Sequence, residues 1–457
     1  MLLLAEVNSN QDFLSQFFHR LNKGKITYCV LRNYEQLPEK VENDVDIWVK
    51  DEHRERLYSI LKNLADTLHY TLDYTPRLTL IGEGDYFLIK EYMNSIYIIH
   101  IDCWTYIHWK GLPYIDLTVI EKYLNWYEKG FYVLSPGVMA SIVLLKELLQ
   151  HGKVKEKYKP IIREYSLKDG KAFLNSFYFY FGDKHSRLIL GTAREGNWQA
   201  LEKNVNSLRI VLLLKNLLHP ISQYKRWLNY LSAQFRRFFI NSRGLFIVII
   251  GPDGSGKSTT ANNLIHSDIK RLFLKKNYFH GHFQFLPELK KIVSFFKGQK
   301  LGTQSPENTH PVPSKPLGML RSTIYPLYYG FNYFLGHYFM WKEKARAGLV
   351  IFDRYFYDYM IQRLYINCPR WVLYFISKII PQPDILIYLG NNPETIYARK
   401  PELSFEEIKR QLKICECIIS RFRNGYVIDA YVAPDEVVKN IQGIIIRRIR
   451  ERQEIKL

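Results

Sequence analysis

The spacing of apolar residues changes along the chain. Before about residue 110, short apolar runs alternate with polar stretches, and from about Pro136 to about residue 240 the apolar residues recur at helical intervals. The short runs predict strands at 27–31, 45–49, 86–89 and 96–101, and the helical spacing predicts helices at 51–67 and 138–149. After residue 240, continuous apolar runs at 245–250, 349–352 and 384–389 are typical of strands buried on both faces. The pattern predicts an α/β protein in three parts, 1–125, 126–240 and 241–457.

Charge and cysteine content indicate which partners and which cellular compartment to expect. The formal net charge of +20 indicates an anionic partner, such as nucleotide phosphates, nucleic acid or an acidic membrane surface. The five cysteines lie mostly in apolar runs, as reduced thiols do. The first residues lack a signal-peptide pattern, and no uncharged apolar run approaches the length of a membrane span. We therefore expect a cytoplasmic protein.

Residues 224–239 mix aromatic and basic side chains. Such a helix can lie on an anionic bilayer, which would make the protein membrane-peripheral. It can also be an interdomain helix with a solvated basic face, and the sequence favours this second interpretation.

A glycine-rich motif follows the apolar run 245–250. Its candidate nucleotide-binding residues are Gly251, Gly254, Ser255, Gly256, Lys257, Ser258 and Thr259. Glycines let successive backbone N–H groups and a helix N-terminus face the phosphates. Lys257 adds a positive charge at the β- and γ-phosphates, and Ser258 offers a hydroxyl to Mg²⁺. The motif predicts binding of ATP and Mg²⁺.

Two further segments supply candidate catalytic groups. Asp353 ends the apolar run 349–352, where a carboxylate lies beside the phosphate-binding loop and can hold the metal. Arg354 is placed to clamp the transferring phosphoryl group. The helical spacing after residue 393 would carry Arg399 toward the phosphates, although Arg399 alone is equally compatible with a surface charge.

Residues 244–445 resemble the thymidylate kinase family. The resemblance is carried by the loop motif, Asp353-Arg354-Tyr355, the segment 381–384, and Arg399-Lys400. It implies a five-stranded parallel sheet with helices on both faces and ATP-dependent phosphoryl transfer. It also implies that Asp253 and Arg354 lie on the acceptor side and Arg399 on the donor side.

The chain departs from that family after Tyr355. The family commonly continues with a serine and an Ala-Tyr-Gln stretch that shape the thymine pocket, whereas this chain has Phe356-Tyr-Asp-Tyr-Met-Ile-Gln362. The segment 280–336 also diverges. We therefore expect weak or absent activity on thymidylate. His280 and His282 are a candidate metal pair, or more simply surface or acceptor contacts.

Three aspartates mark a second candidate site in the first part of the chain. Asp44 and Asp46 are two apart in a predicted strand and so share a face, while Asp102 ends another predicted strand. Together they are candidate ligands of one divalent cation, because crowded carboxylates are costly without one.

Residues 25–110 resemble the nucleotidyltransferase superfamily, which includes DNA polymerase beta and the aminoglycoside nucleotidyltransferases. The resemblance implies that Asp44, Asp46 and Asp102 bind Mg²⁺. The superfamily's Gly-Ser pair is replaced by Leu31-Arg32-Asn33-Tyr34. Either Arg32 and Asn33 contact phosphate instead, or the domain no longer transfers nucleotides.

The predicted architecture is thus a nucleotidyltransferase-like mixed sheet (1–125), a helical connector (126–240) and a thymidylate-kinase-like domain (241–457). It resembles two-domain proteins of bacterial cell-surface polysaccharide loci. The leading hypothesis is an ATP-dependent kinase that phosphorylates a sugar, glycan end or nucleotide, with anionic-membrane contact and a homodimer as further expectations. The alternatives are a nucleic-acid end-processing protein, which no nucleic-acid-binding motif supports, and a regulatory nucleotide-binding module with an inactive N-terminal domain.

Overall fold

The computed structural model describes residues 2–41, 44–76, 83–92, 95–218, 220–239, 243–283, 285–287, 289, 316–401 and 403–456. The chain divides into two compact units, one comprising Met1–Arg236 with Gln453–Leu457 and the other Arg237–Arg452. Nearly all of the predicted connector therefore lies in the same unit as the N-terminal sheet. A separate connector domain stays a prediction.

A mixed sheet organises the first unit, as predicted. Its strands are β1 (Tyr28–Val30), β2 (Val45–Val49), β3 (Thr71–Pro76), β4 (Gly84–Tyr92), β5 (Ser95–Trp104), β8 (Leu124–Tyr127) and β9 (Phe131–Leu134). Their order is β3-β4-β5-β2-β1-β9-β8, with β2 parallel to β5 and β1 parallel to β9. A separate ribbon joins β6 (His108–Trp109) to β7 (Leu112–Pro113). The large sheet continues past residue 125 to Leu134, because the hairpin β8–β9 adds to its edge.

Nine helices are described in or at the end of this unit. They are α1 (Leu2–Lys23), α2 (Arg54–Thr67), α3 (Leu117–Lys122), α4 (Pro136–His151), α5 (Lys159–Lys168), α6 (Gly170–Glu195), α7 (Trp198–Lys203), α8 (Val205–Leu217) and α9 (Pro220–Phe239). Helices α1 and α2 cover one sheet face through buried Phe13, Phe17 and Leu61. Helix α4 is buried along nearly its whole length, so it forms the centre of the helical part.

A parallel sheet of five strands forms the second unit, which confirms the predicted fold class. The strands are β10 (Leu245–Ile250), β11 (Lys275–His280), β12 (Gly348–Asp353), β13 (Ile385–Gly390) and β14 (Gly425–Asp429), in the order β11-β12-β10-β13-β14. Every residue of β10 and β12 is buried, as expected for central strands covered on both faces. Ile249 lies opposite Asp353 in the register, so the segment after β10 begins next to the end of β12.

The described helices of the second unit are α10 (Lys257–His266), α11 (Met319–Ala345), α12 (Asp358–Ile361), α13 (Arg370–Ile379), α14 (Pro393–Arg399), α15 (Phe405–Ile419) and α16 (Pro434–Lys456). Asp384 accepts hydrogen bonds from Phe246 N and Lys344 Nζ, both at 2.8 Å, and so fixes the start of β13 beside β10. In the described part of the chain, no helix combines the length and apolar character that crossing a membrane requires.

Candidate active site

The phosphate-binding loop connects β10 to α10. Gly254 and Gly256 have φ angles of 90° and 92°, a region that side chains other than glycine rarely occupy. At Gly254, a Cβ atom would also lie 3.2 Å from Lys400 Cβ. This tight path lets backbone N–H groups and the N-terminus of α10 face one space, an arrangement suited to anionic phosphates.

Lys257 is the first residue of α10 and is buried. Its Nζ donates hydrogen bonds to Gly251 O at 2.8 Å and Pro252 O at 2.9 Å, and it lies 3.5 Å from Asp253 Oδ1. The ammonium group is therefore held at the loop itself, where it can meet phosphate oxygens.

Asp353 is completely buried at the end of β12. Its Oδ2 accepts hydrogen bonds from Ser258 Oγ and, at 3.3 Å, from Tyr278 OH, and it lies 3.2 Å from His280 Nδ1. Its Oδ1 is buried without a hydrogen-bond partner among the described residues. An orphaned carboxylate oxygen beside a hydroxyl fits a hard cation, so Ser258 and Asp353 would hold Mg²⁺.

Arg354 adjoins this group in an unusual backbone conformation. Its φ is 65°, which costs about 1–3 kcal/mol for a residue with a side chain. Its Nη2 donates a 2.6 Å hydrogen bond to Asp253 Oδ1. Burial acts to raise the pKa of Asp253, but the positive charges of Lys257, Arg354 and Lys400 outweigh it and lower that pKa. Asp253 is therefore ionised and anchors the guanidinium group beside the loop.

These residues surround one open cleft with an empty volume of about 1040 Å³, open solvent included. Nine of the predicted site residues line it: Asp253, Gly254, Ser255, Gly256, Lys257, Ser258, Thr259, Arg354 and Arg399. Gly251 and Asp353 contact residues of this lining. Gly251 O accepts a hydrogen bond from Lys257 Nζ, and Asp353 Oδ2 accepts one from Ser258 Oγ. The fold therefore brings the predicted residues together, and their catalytic roles stay predictions.

The sequence did not reveal the contacts that four further residues make at this site. Tyr278 and His280 reach Asp353 from β11, and Lys400 acts on Asp253 next to the loop. Asp358 lies in the stretch after Tyr355 that departs from the thymidylate kinase family. Burial raises the pKa of Asp358 to about 6, with further raising by Asp253 and Asp353 and opposition from Lys257 and Arg354. The difference from the family's sequence after Tyr355 was the signal that could have identified Asp358.

The three N-terminal aspartates also converge. Asp46 in β2 lies opposite Asp102 in the parallel strand β5, and Asp44 precedes β2. One carboxylate oxygen from each lies within 4.8 Å of the other two, a donor set that fits one divalent cation. Arg32 Nε donates to Asp46, and Arg32 Nη2 is 3.8 Å from Asp44 Oδ2. Arg32 thus contacts carboxylates in this structure.

A pocket borders this cluster, with an empty volume of about 520 Å³, open solvent included. Its lining includes Arg32, Asp46, Trp104, His108, Lys146 and Glu147. Asp46 therefore lines a pocket beside the aspartate cluster.

Comparisons with known proteins bear on the kinase-like region. No protein-family model matches the chain. A protein described as a probable thymidylate kinase, from Staphylothermus marinus, is 24% identical over 223 residues, which cover 46% of this chain and 98% of the relative. The solved structure of thymidylate kinase from Candida albicans shows 18% identity over 46% of this chain and 93% of that chain, with a TM-score of 0.33. The sequence identity to the Staphylothermus marinus protein shows that the chain contains a P-loop region similar to a probable thymidylate kinase.

Proposed function

We propose that the second unit is an ATP-dependent kinase that phosphorylates a sugar, a glycan end or a nucleotide. The observation that carries this proposal is the gathering of Lys257, the Ser258–Asp353 pair and the Asp253–Arg354 pair at one cleft. The similarity to a probable thymidylate kinase supports phosphoryl transfer.

Each group has a role in such a reaction. The loop N–H groups and Lys257 bind the β- and γ-phosphates, and Arg354 and Arg399 stabilise the charge that spreads over the transferring group. Mg²⁺, held by Ser258 and Asp353, would neutralise charge on the phosphate oxygens. Because phosphoryl transfer depends mainly on positioning and electrostatic stabilisation, these residues supply what the reaction requires.

The first unit is proposed to bind a divalent cation, such as Mg²⁺, through Asp44, Asp46 and Asp102, in a site like that of nucleotidyltransferases. The support is the convergence of the three carboxylates beside a pocket. Arg32 supplies positive charge to the same carboxylates, so a bound cation would compete with its guanidinium group. A bifunctional enzyme of cell-surface polysaccharide biosynthesis would combine the two sites.

The kinase proposal is tested with Lys257→Ala. Loss of the ammonium group should lower γ-phosphate release or transfer from Mg²⁺–ATP by about 10²-fold or more, because a charge that stabilises the transition state is removed. Lys413→Ala is the matched control, since Lys413 is an exposed lysine of the same unit. A folded Lys257→Ala protein, verified by circular dichroism, that turns over ATP at the wild-type rate would refute the proposal.

A further inference from the structure

Helix α8 carries apolar residues on two opposite faces. Its inner face is buried in the first unit through Val205, Leu208 and Leu212. Its outer face consists of five side chains that are between 42% and 75% exposed: Ile210, Leu213, Leu214, Leu217 and Leu218. These five recur at spacings of three and four and so form one stripe along the helix. A helix that is apolar on all sides is normally buried, so the outer stripe calls for a partner.

The exposed apolar surface continues from α8 onto α6. Tyr178 and Phe179 of α6 are 43% and 45% exposed. The centre of the Phe179 ring lies 4.8 Å from Nζ of Lys215, which follows Leu214 directly in the stripe of α8. The stripe together with Tyr178 and Phe179 is called the α6–α8 surface below. An exposed apolar surface of several neighbouring side chains marks an interaction site more often than chance exposure does.

A groove borders the α6–α8 surface, with an empty volume of about 800 Å³, open solvent included. Its lining includes Tyr178, Phe179 and Lys215, so the groove and the surface share three side chains. Lys122, at the end of α3, and Asn175 of α6 also line it. Ammonium and amide groups can donate hydrogen bonds to an anionic oxygen.

The charged side chains that line this groove are Lys122, Lys215 and Asp116. Asp116 Oδ1 accepts hydrogen bonds from Thr118 N at 3.0 Å and Thr118 Oγ1 at 2.8 Å, and so caps α3. Both lysines lie over aromatic rings, Lys122 at 6.0 Å from the centre of the Tyr123 ring and Lys215 over Phe179. Two lysines against one aspartate give the lining a net positive charge, which favours an anionic ligand.

The charge of the surrounding sequence distinguishes between two partners for the α6–α8 surface. From Lys203 to Phe239 the chain contains seven lysine and arginine residues and no aspartate or glutamate. Two copies of the chain that met through this surface would bring these like charges together, because a twofold contact pairs a surface with itself. An anionic bilayer offers the opposite charge and an apolar interior, so it matches both properties of the surface.

We propose that the α6–α8 surface docks on a bilayer that contains anionic phospholipids. The stripe of α8 enters the boundary between headgroups and acyl chains, and Lys122 and Lys215 bind the phosphate of an anionic lipid headgroup in the groove. This surface is additional to the aromatic and basic residues of α9, and it does not depend on the proposed kinase function.

The stripe is tested with the double variant Leu214→Glu/Leu217→Glu of the full-length protein. Its binding to phosphatidylcholine vesicles with about 30% phosphatidylserine, measured by cosedimentation, should be weaker than that of wild type by about 10-fold or more, because charge replaces apolar side chains in the lipid. Trp126→Glu/Leu167→Glu is the matched control, since these residues are 57% and 58% exposed in the same unit. A folded α8 variant that binds as tightly as wild type, or a wild type that does not bind these vesicles, overturns the proposal.

The groove is tested with Lys122→Ala/Lys215→Ala on the same vesicles. Loss of both ammonium groups should weaken binding by about 10-fold or more, and most of the difference should disappear when the salt is raised from about 0.1 M to about 1 M, because screening shortens the range of the attraction. Lys153→Ala/Lys168→Ala, at exposed lysines of the same unit, is the control. Wild-type affinity in the groove variant overturns the assignment of the headgroup to Lys122 and Lys215.

Analytical ultracentrifugation without lipid tests the other occupant, a second copy of the chain. Wild type and Leu214→Glu/Leu217→Glu should have the same oligomeric state, because the stripe contacts lipid and not protein. A wild-type dimer that this double change separates into monomers overturns the proposal and identifies the stripe as a contact between copies.

Discussion

At the scale of single residues, the two candidate sites differ in how their carboxylates are compensated. Asp353 accepts hydrogen bonds from the hydroxyl groups of Ser258 and Tyr278, lies 3.2 Å from His280 Nδ1, and has no partner for Oδ1 among the described residues. Asp46 is paired with the permanent charge of Arg32. Because an arginine already offsets part of the repulsion among Asp44, Asp46 and Asp102, a cation at this cluster must displace or share that guanidinium group.

Asp46→Asn should abolish or weaken divalent binding at the N-terminal cluster by about 10-fold or more, since one of three anionic ligands is lost. The measurement is calorimetric titration with Mn²⁺ without nucleotide, carried out in an Asp353→Asn background so that the second unit contributes little. In the protein that retains Asp46, the melting temperature with Mn²⁺ should differ from that with chelator, and in Asp46→Asn the two temperatures should coincide. Asp66→Asn, at an exposed position, is the control. Unaltered Mn²⁺ binding by Asp46→Asn would exclude the cluster as the site.

At the scale of elements, α9 differs from a helix that only exposes basic residues. Its exposed apolar side chains are Tyr224, Trp227, Leu228, Leu231, Phe235 and Phe239. The first five recur at spacings of three and four and so follow one face of the helix. The segment also contains four arginine and lysine residues between 225 and 237. Contact with an anionic bilayer stays a prediction, which an apolar face on a basic helix supports.

The double variant Leu228→Glu/Phe235→Glu should therefore bind vesicles containing about 30% phosphatidylserine at least about 10-fold more weakly than wild type, because it places charge on the face that would enter the lipid. Cosedimentation measures the bound fraction. Leu167→Glu is the control, as Leu167 is 58% exposed on α5. Wild-type protein that stays in the supernatant at low salt would contradict the membrane interpretation.

At the scale of the whole molecule, the two units have separate apolar cores. The core of the second unit surrounds β10 and β12, while the first unit has one core under α1 and α2 and another around α4 and α6. The candidate nucleotide site belongs entirely to the second unit. Nucleotide binding is therefore expected to stabilise one unit and leave the other unchanged. The homodimer stays a prediction, which analytical ultracentrifugation can test.

Differential scanning calorimetry of the full-length protein should show two unfolding transitions. A non-hydrolysable Mg²⁺–ATP analogue should raise the midpoint temperature of only one of them. At a free concentration of about 100 times its dissociation constant, the analogue should stabilise that unit by about 2.7 kcal/mol. Lys257→Ala should reduce this shift, because it removes a phosphate contact. An equal rise of both transitions would show that the units do not respond independently.

Much of the kinase-like region could be predicted from the sequence, because its signals are local. Continuous apolar runs identified β10, β12 and β13, and the glycine spacing identified the loop and the start of α10. In the first unit, alternation and helical spacing identified β1, β2, β4, β5, α2 and α4. Backbone conformation and burial pattern act over a few residues, so neighbouring residues are enough to reveal them.

The sequence by itself therefore determined the phosphate-binding loop, the parallel character of the second sheet through the family resemblance, and the closeness of Asp44 to Asp46. Only the tertiary structure decided which distant groups meet. Ser258 and Asp353 are 95 positions apart, and β11 brings Tyr278 and His280 to the same carboxylate. Likewise, the parallel pairing of β2 with β5 sets Asp102 opposite Asp46, and Arg32 reaches both Asp44 and Asp46. Strand order and register follow from how all the apolar faces are buried together, which no short stretch of sequence encodes.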